Sequence, residues 1–115
     1  MRIYVCGPLS ADDEAQRAKN ILVAIDAGIA LIELGHEPLI PHLSYWTSMR
    51  AEELGRPVEY ERWLEIDFAW LRVSEGVLFL GESPGSMREI ELAKILSIPV
   101  YESLDQVPIA QSTLA

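Results

Sequence analysis

Two acidic residues stand where chemistry is possible. In "LFLGESPGSMREIELAK", residues 78–94, an apolar run ends at Gly81 and a Ser/Pro/Gly turn follows. A helical pattern then begins at Ser86, which puts Glu89 in the first turn. Ser86-Met-Arg-Glu89 has the S-x-x-E spacing of a capping box, in which the glutamate reaches back to a backbone N–H. The same geometry suits another task. A carboxylate near a helix N-terminus is kept ionised by the helix dipole and free N–H groups, and an ionised carboxylate can attack an electrophilic carbon. The second acid, Asp67, lies in "RWLEIDFAWL", four residues after Trp63 and three before Trp70, so the three share one helical stripe. An acid is seldom placed on an apolar stripe without a partner. Arg62 or a backbone group could satisfy it, and the tryptophans suit either a core or a flat heterocycle.

These residues need a frame. "RIYVC" (2–6) is a β-branched and aromatic run closed by Gly7-Pro8, a strand. Ser10 and Asp13 have capping-box spacing before a long helical pattern in which Ala15, Ala18, Leu22, Ile25, Ile29 and Ile32 share one face. Gly35 stops that helix, and "EPLIP" (37–41) is strand two. Residues 42–57 have room for a short helix broken by Gly55 and Pro57; an irregular stretch this long suits a lid or binding loop. A helix is expected over 58–74, a buried strand over 76–80, a helix over 86–96, a strand over 98–102, one helical turn over 103–108 and then a tail. The alternation predicts a single α/β domain over 1–115. Its parallel sheet has four to five strands in a flavodoxin-like or Rossmann-like arrangement, with helices on both faces. Ligands bind such sheets beyond the carboxyl ends of the strands. Gly7–Ser10, Pro41–Tyr45 and Gly81–Glu89 should therefore meet there, with His42 either touching a ligand or satisfied by backbone.

Composition narrows the partners. The 18 acids outnumber the 9 Lys and Arg, and a net charge of −9 repels nucleic-acid polymers while leaving room for a small anion at one local site. No apolar stretch has the length of a membrane span, and the chain enters its first strand without signal-peptide architecture. One cysteine makes no internal disulfide, which suits a reducing cytoplasm, and Cys6 reads as a small core residue. His36, His42 and Cys6 lack metal-ligand spacing, so no metal is expected. No Lys follows the glycines of the 81–86 turn, so it is not a P-loop, and no G-x-G-x-x-G occurs.

"IYVCGPLS", "DFAWL" (67–71) and "SPGSMREIELA" (83–93) together resemble the nucleoside 2-deoxyribosyltransferase superfamily, which includes small deoxynucleoside monophosphate N-glycosidases; the likeness in order and spacing runs over about residues 2–101. The resemblance implies that Glu89, in Gly85-Ser-Met-Arg-Glu89, is the nucleophile, that Asp67 assists at the base, and that Tyr4 orients the nucleophile. It further implies a homodimer whose neighbouring subunit completes each site, and no metal or organic cofactor. Pro8 resembles the transferases. Ser83 resembles the monophosphate hydrolases, where a serine contacts the 5′-phosphate, while the hydrolases' loop arginine is absent, with Ser10 near its place. Gly7, Pro8, Ser10, His42, Ser83, Gly85 and Ser86 are thus the expected substrate-binding residues.

Three functions follow. The first is cleavage of the N-glycosidic bond of a nucleoside or its 5′-monophosphate, by deoxyribosyl transfer or hydrolysis. The second is a non-catalytic nucleotide-binding or sensing module of the same fold. The third is an interaction domain in which Glu89 is only a cap.

Overall fold

The computed structural model describes residues 1–110, so the expected C-terminal tail falls largely outside the described residues. The elements run β1 (Arg2–Cys6), α1 (Glu14–Glu33), β2 (Glu37–Leu39), a 3-10 turn (Pro41–Leu43), α2 (Ser44–Glu53), α3 (Tyr60–Leu71), β3 (Gly76–Phe79), α4 (Pro84–Ile95), β4 (Val100–Tyr101) and a 3-10 turn (Leu104–Gln106). The four strands form one sheet in the order β2-β1-β3-β4, every pair parallel, as in flavodoxin-like folds. β2 and β4 are shorter than expected. Ile40 is extended but leads into the 3-10 turn instead of pairing. No helix among the described residues is long and apolar enough to cross a membrane.

β1 is one of the two interior strands, paired with β2 on one side and β3 on the other. Its period-2 alternation divides the core. Ile3 and Val5 pack with Ala24, Ala27, Leu31 and Leu78 under α1. Tyr4 and Cys6 face the other way, packing with Leu71, Val77, Ile90 and Ala93 under α3 and α4. Tyr4 is therefore planted in the most fully paired strand and points toward the helices that carry Asp67 and Glu89.

Three local expectations are corrected. At the start of α1 no Ser10–Asp13 box forms: Asp13 is itself the N-cap, accepting from the Ala15 N–H at 2.9 Å, and Ser10 is exposed. The face of α1 that meets the sheet is Ile21, Ala24, Ala27, Gly28 and Leu31, and not the stripe that begins at Ala15. Small residues win there because the helix lies close to β2 and its Ile40 extension. α4 begins two residues earlier than expected. Pro84 occupies N1, where its missing N–H costs nothing, and Ser83 is the N-cap.

Candidate active site

The early start of α4 changes what Glu89 is. Ser83 Oγ accepts from the Ser86 N–H at 3.1 Å, and Ser86 Oγ accepts from the Ser83 N–H at 2.7 Å, so the capping box is Ser83–Ser86. Ser86 also donates its hydroxyl to the Gly81 carbonyl at 3.0 Å. Glu89 then falls in the second turn, on the buried side of the helix, and does not cap it. Its carboxylate accepts a hydrogen bond from the Tyr4 hydroxyl across the interior. Only 7% of Glu89 is exposed.

Around this bond stand the other titratable groups of the α3/α4 face. Cys6 Sγ is 4.0 Å from Glu89 Oε1 and donates to the Ser86 carbonyl at 3.4 Å. Burial, and then the charges of Glu89 and Asp67, push the thiol far above its usual value, so it stays protonated and unreactive. Burial, followed by the same two acids, does the same to the Tyr4 hydroxyl, which is locked as a donor. Glu89 is raised from 4.5 to about 7, first by burial and also by the charge of Asp67, while the Tyr4 hydrogen bond pulls it down. Asp67 is raised from 3.8 to about 7 by burial. Both carboxyl groups are thus more readily protonated than ordinary carboxylates, and they titrate as a coupled pair.

Asp67 reaches this face because α3 packs against α4. Gly85 permits the approach: a Cβ at that position would lie 3.0 Å from the Tyr60 hydroxyl. Outside, Arg88 of α4 pairs with Glu61 of α3 at 2.9 Å and lies over the Phe68 ring at 5.9 Å. Trp63, one turn before Asp67, keeps a buried indole N–H without a partner among the described residues, while Trp70 is 55% exposed.

The predicted convergence at the carboxyl edge of the sheet is present. A Cβ on Gly7 would meet the Leu80 side chain at 2.9 Å, and one on Gly81 would meet Pro8 at 3.5 Å, so the β1 and β3 loops touch. His42 is buried beneath them. Its Nε2–H is shared between the Gly7 and Pro8 carbonyls at 3.1 and 3.2 Å. Burial lowers its pKa, against the raising effect of those carbonyls, and its Nδ1 has no partner among the described residues. Of the expected residues, Tyr4, Glu89 and Asp67 come together, as do Gly7, Pro8 and His42. Ser83, Gly85 and Ser86 form the start of α4, and Ser10 stands apart and exposed. Sequence reasoning placed Cys6 in the core but missed that it borders Glu89. The signal was available, since Tyr4 and Cys6 are two apart in one strand and share a face.

A flavodoxin-like sheet with a buried glutamate and a half-buried aspartate on one helical face is the class defined so far. Residues 1–103 match the family described as a domain of unknown function, DUF7768, and the chain belongs to that family. Among solved structures it is similar to a 2-deoxyribosyltransferase from the psychrotolerant bacterium Bacillus psychrosaccharolyticus. Identity is 18%, the TM-score is 0.59, and the match covers 87% of this chain and 69% of that one. This likeness establishes the shared fold. No curated protein matches the sequence.

Proposed function

We propose that the protein cleaves the N-glycosidic bond of a nucleoside or nucleoside 5′-monophosphate, with Glu89 as nucleophile and Asp67 as proton donor. The observation that carries this reading is the buried Tyr4–Glu89 hydrogen bond, close to a second carboxyl group, Asp67, whose pKa burial raises toward neutrality. In the first step an ionised Glu89 oxygen bonds to C1′ as the C1′–N bond breaks. The electron pair of that bond stays on the base nitrogen, and Asp67 gives its proton to the base. The product is a glycosyl ester on Glu89, as in retaining glycosidases. In the second step the Asp67 carboxylate takes a proton from water while the water oxygen bonds to C1′ and Glu89 leaves. A second base in place of water gives transfer. Tyr4 holds one carboxylate oxygen and favours the ionised form that must attack. No metal or organic cofactor enters these steps.

The reading includes a homodimer in which a neighbouring subunit completes each site. On this reading the contribution comes in on the α3 side, and the exposure of Trp70, three residues after Asp67, supports that choice. One observation favours the non-catalytic sensing module instead: with 7% exposure, Glu89 offers a ligand little surface as it stands. The test is base release from a panel of nucleosides and 5′-monophosphates, with and without an acceptor base, beside direct binding. Release that disappears in Glu89→Gln while binding persists supports catalysis. Saturable nucleotide binding without release in the wild type refutes catalysis and supports the sensor. No binding at all leaves an interaction domain.

A further inference from the structure

An apolar surface that the fold leaves unexplained lies on α1. Ala15, Ala18, Leu22, Ile25, Ile29 and Ile32 recur at alternating intervals of three and four, the a/d spacing of a coiled-coil seam. They lie roughly a third of a turn round the helix from the face that packs on the sheet. Leu22 is 59%, Ile29 50% and Ile32 59% exposed, so a second apolar face of α1 is left bare.

We infer that this stripe is the seam of a two-fold interface with a second copy of the chain, the two α1 helices packed antiparallel. The argument is self-complementarity. In an antiparallel pair each a position meets a d position of the other helix. Centring the two-fold between Leu22 and Ile25 then sets Leu22 against the second copy's Ile25, Ala18 against its Ile29 and Ala15 against its Ile32. Every one of the six positions is used. Toward both ends a small residue meets a large one, so the helices keep an even spacing. A parallel pair would stack Ala on Ala at one end and Ile on Ile at the other, forcing the axes apart. Charge agrees: Lys19 and Asp26, the e positions flanking the central layers, face each other across the seam twice.

The helix is 20 residues long, about 30 Å, and a strip of that length falls short of the ~800 Å² per partner of a standard interface. Beside it runs an open groove of about 380 Å³ where Trp46 of α2 faces Ala18, Leu22 and Ile25, and the half-exposed indole is positioned to widen the contact. The seam lies on the sheet face opposite Tyr4 and Glu89. It is thus separate from any shared-site contact at α3, and it stands whether or not the catalytic reading does.

The test combines sedimentation with cross-linking. Leu22→Glu/Ile29→Glu removes apolar side chains already exposed in the single chain, so its melting temperature at low concentration should match wild type. At about 100 μM its particle mass should be half that of wild type. An oxidised mixture of Ala15→Cys and Ile32→Cys chains should give the mixed disulfide, with at least tenfold less product from Ile32→Cys alone; native Cys6 is buried and does not compete. A monomeric wild type at that concentration, an unchanged mass in the double variant, or self-cross-linking of Ile32→Cys as fast as the mixture would each overturn the seam.

Discussion

Replacing Glu89 by Gln should change stability in a way that depends on pH, and the size follows from the burial of the group. Glu89 titrates at about 7 in the folded chain, against an ordinary 4.5 that serves for the unfolded chain. The folded state therefore binds this proton more tightly. The resulting stabilisation is fully present below 4.5 and is lost as pH rises through about 7. That difference is equivalent to about 3 kcal/mol by which the charged carboxylate destabilises the fold above pH 8. Gln carries no such charge. It can accept the Tyr4 hydrogen bond, but its NH2 is buried without an assigned acceptor, a pH-independent cost of about 1–3 kcal/mol. The absolute effect thus mixes two terms, while its pH dependence isolates one. Relative to wild type, Glu89→Gln should gain about 2–3 kcal/mol between pH 5 and pH 8.5. The assay is urea unfolding followed by tryptophan fluorescence at fixed protein concentration. A difference between variant and wild type that is the same at both pH values would refute the claim that Glu89 is a buried, strained acid.

Three other outcomes follow from the same site. Asp67→Asn should slow base release by about 10²–10⁴-fold and abolish the alkaline limb of the rate profile, leaving the acid limb of Glu89; an unchanged profile would remove Asp67 from the chemistry. Tyr4→Phe deletes the hydrogen bond that lowers the pKa of Glu89, so the acid limb should move to higher pH, measured as kcat/KM against pH with a substrate that wild type accepts. Ser83→Asp keeps a good N-cap and so should leave the melting temperature nearly unchanged. If Ser83 contacts a 5′-phosphate, the variant should lose at least tenfold in preference for monophosphate over nucleoside, and an unaltered ratio would place the phosphate elsewhere or nowhere.

How far the sequence could be read depended on how many physical solutions each pattern allowed. β1 and β3 were legible because short β-branched runs closed by Gly and Pro have few alternatives, and parallel pairing followed from the helices between them. α1 was legible as a helix but not in its orientation. Its two apolar stripes are both helical in period, and only contact with the sheet selects between them. The one chosen is rich in Ala and Gly, which lets Gly28 come close to Ile40. The start of α4 is hard to read because Ser86 and Glu89 mimic a capping box, while Pro84, the stronger signal for a first helical residue, sits in a Ser/Pro/Gly run that looks like a turn. That shift of two residues decides between a cap and a buried acid. Asp67 and its tryptophans were visible as an anomaly from spacing alone. The proximity of Asp67 to Glu89 was not, because it depends on how closely α3 approaches α4 over Gly85.

The place of Tyr4 in an interior strand sets where motion can enter the site. β1 is hydrogen-bonded on both edges and buried on both faces, so its amides should exchange with solvent only when the whole domain unfolds. The phenol is therefore a fixed post, and access to Glu89 has to come from displacement of α3 or α4 rather than from the sheet. The Glu61–Arg88 pair, exposed and bridging those two helices, lies across that opening. Hydrogen exchange in α3 should accordingly be faster than in β1 by the free-energy gap between local and global opening, and a ligand that fills the site should close that gap.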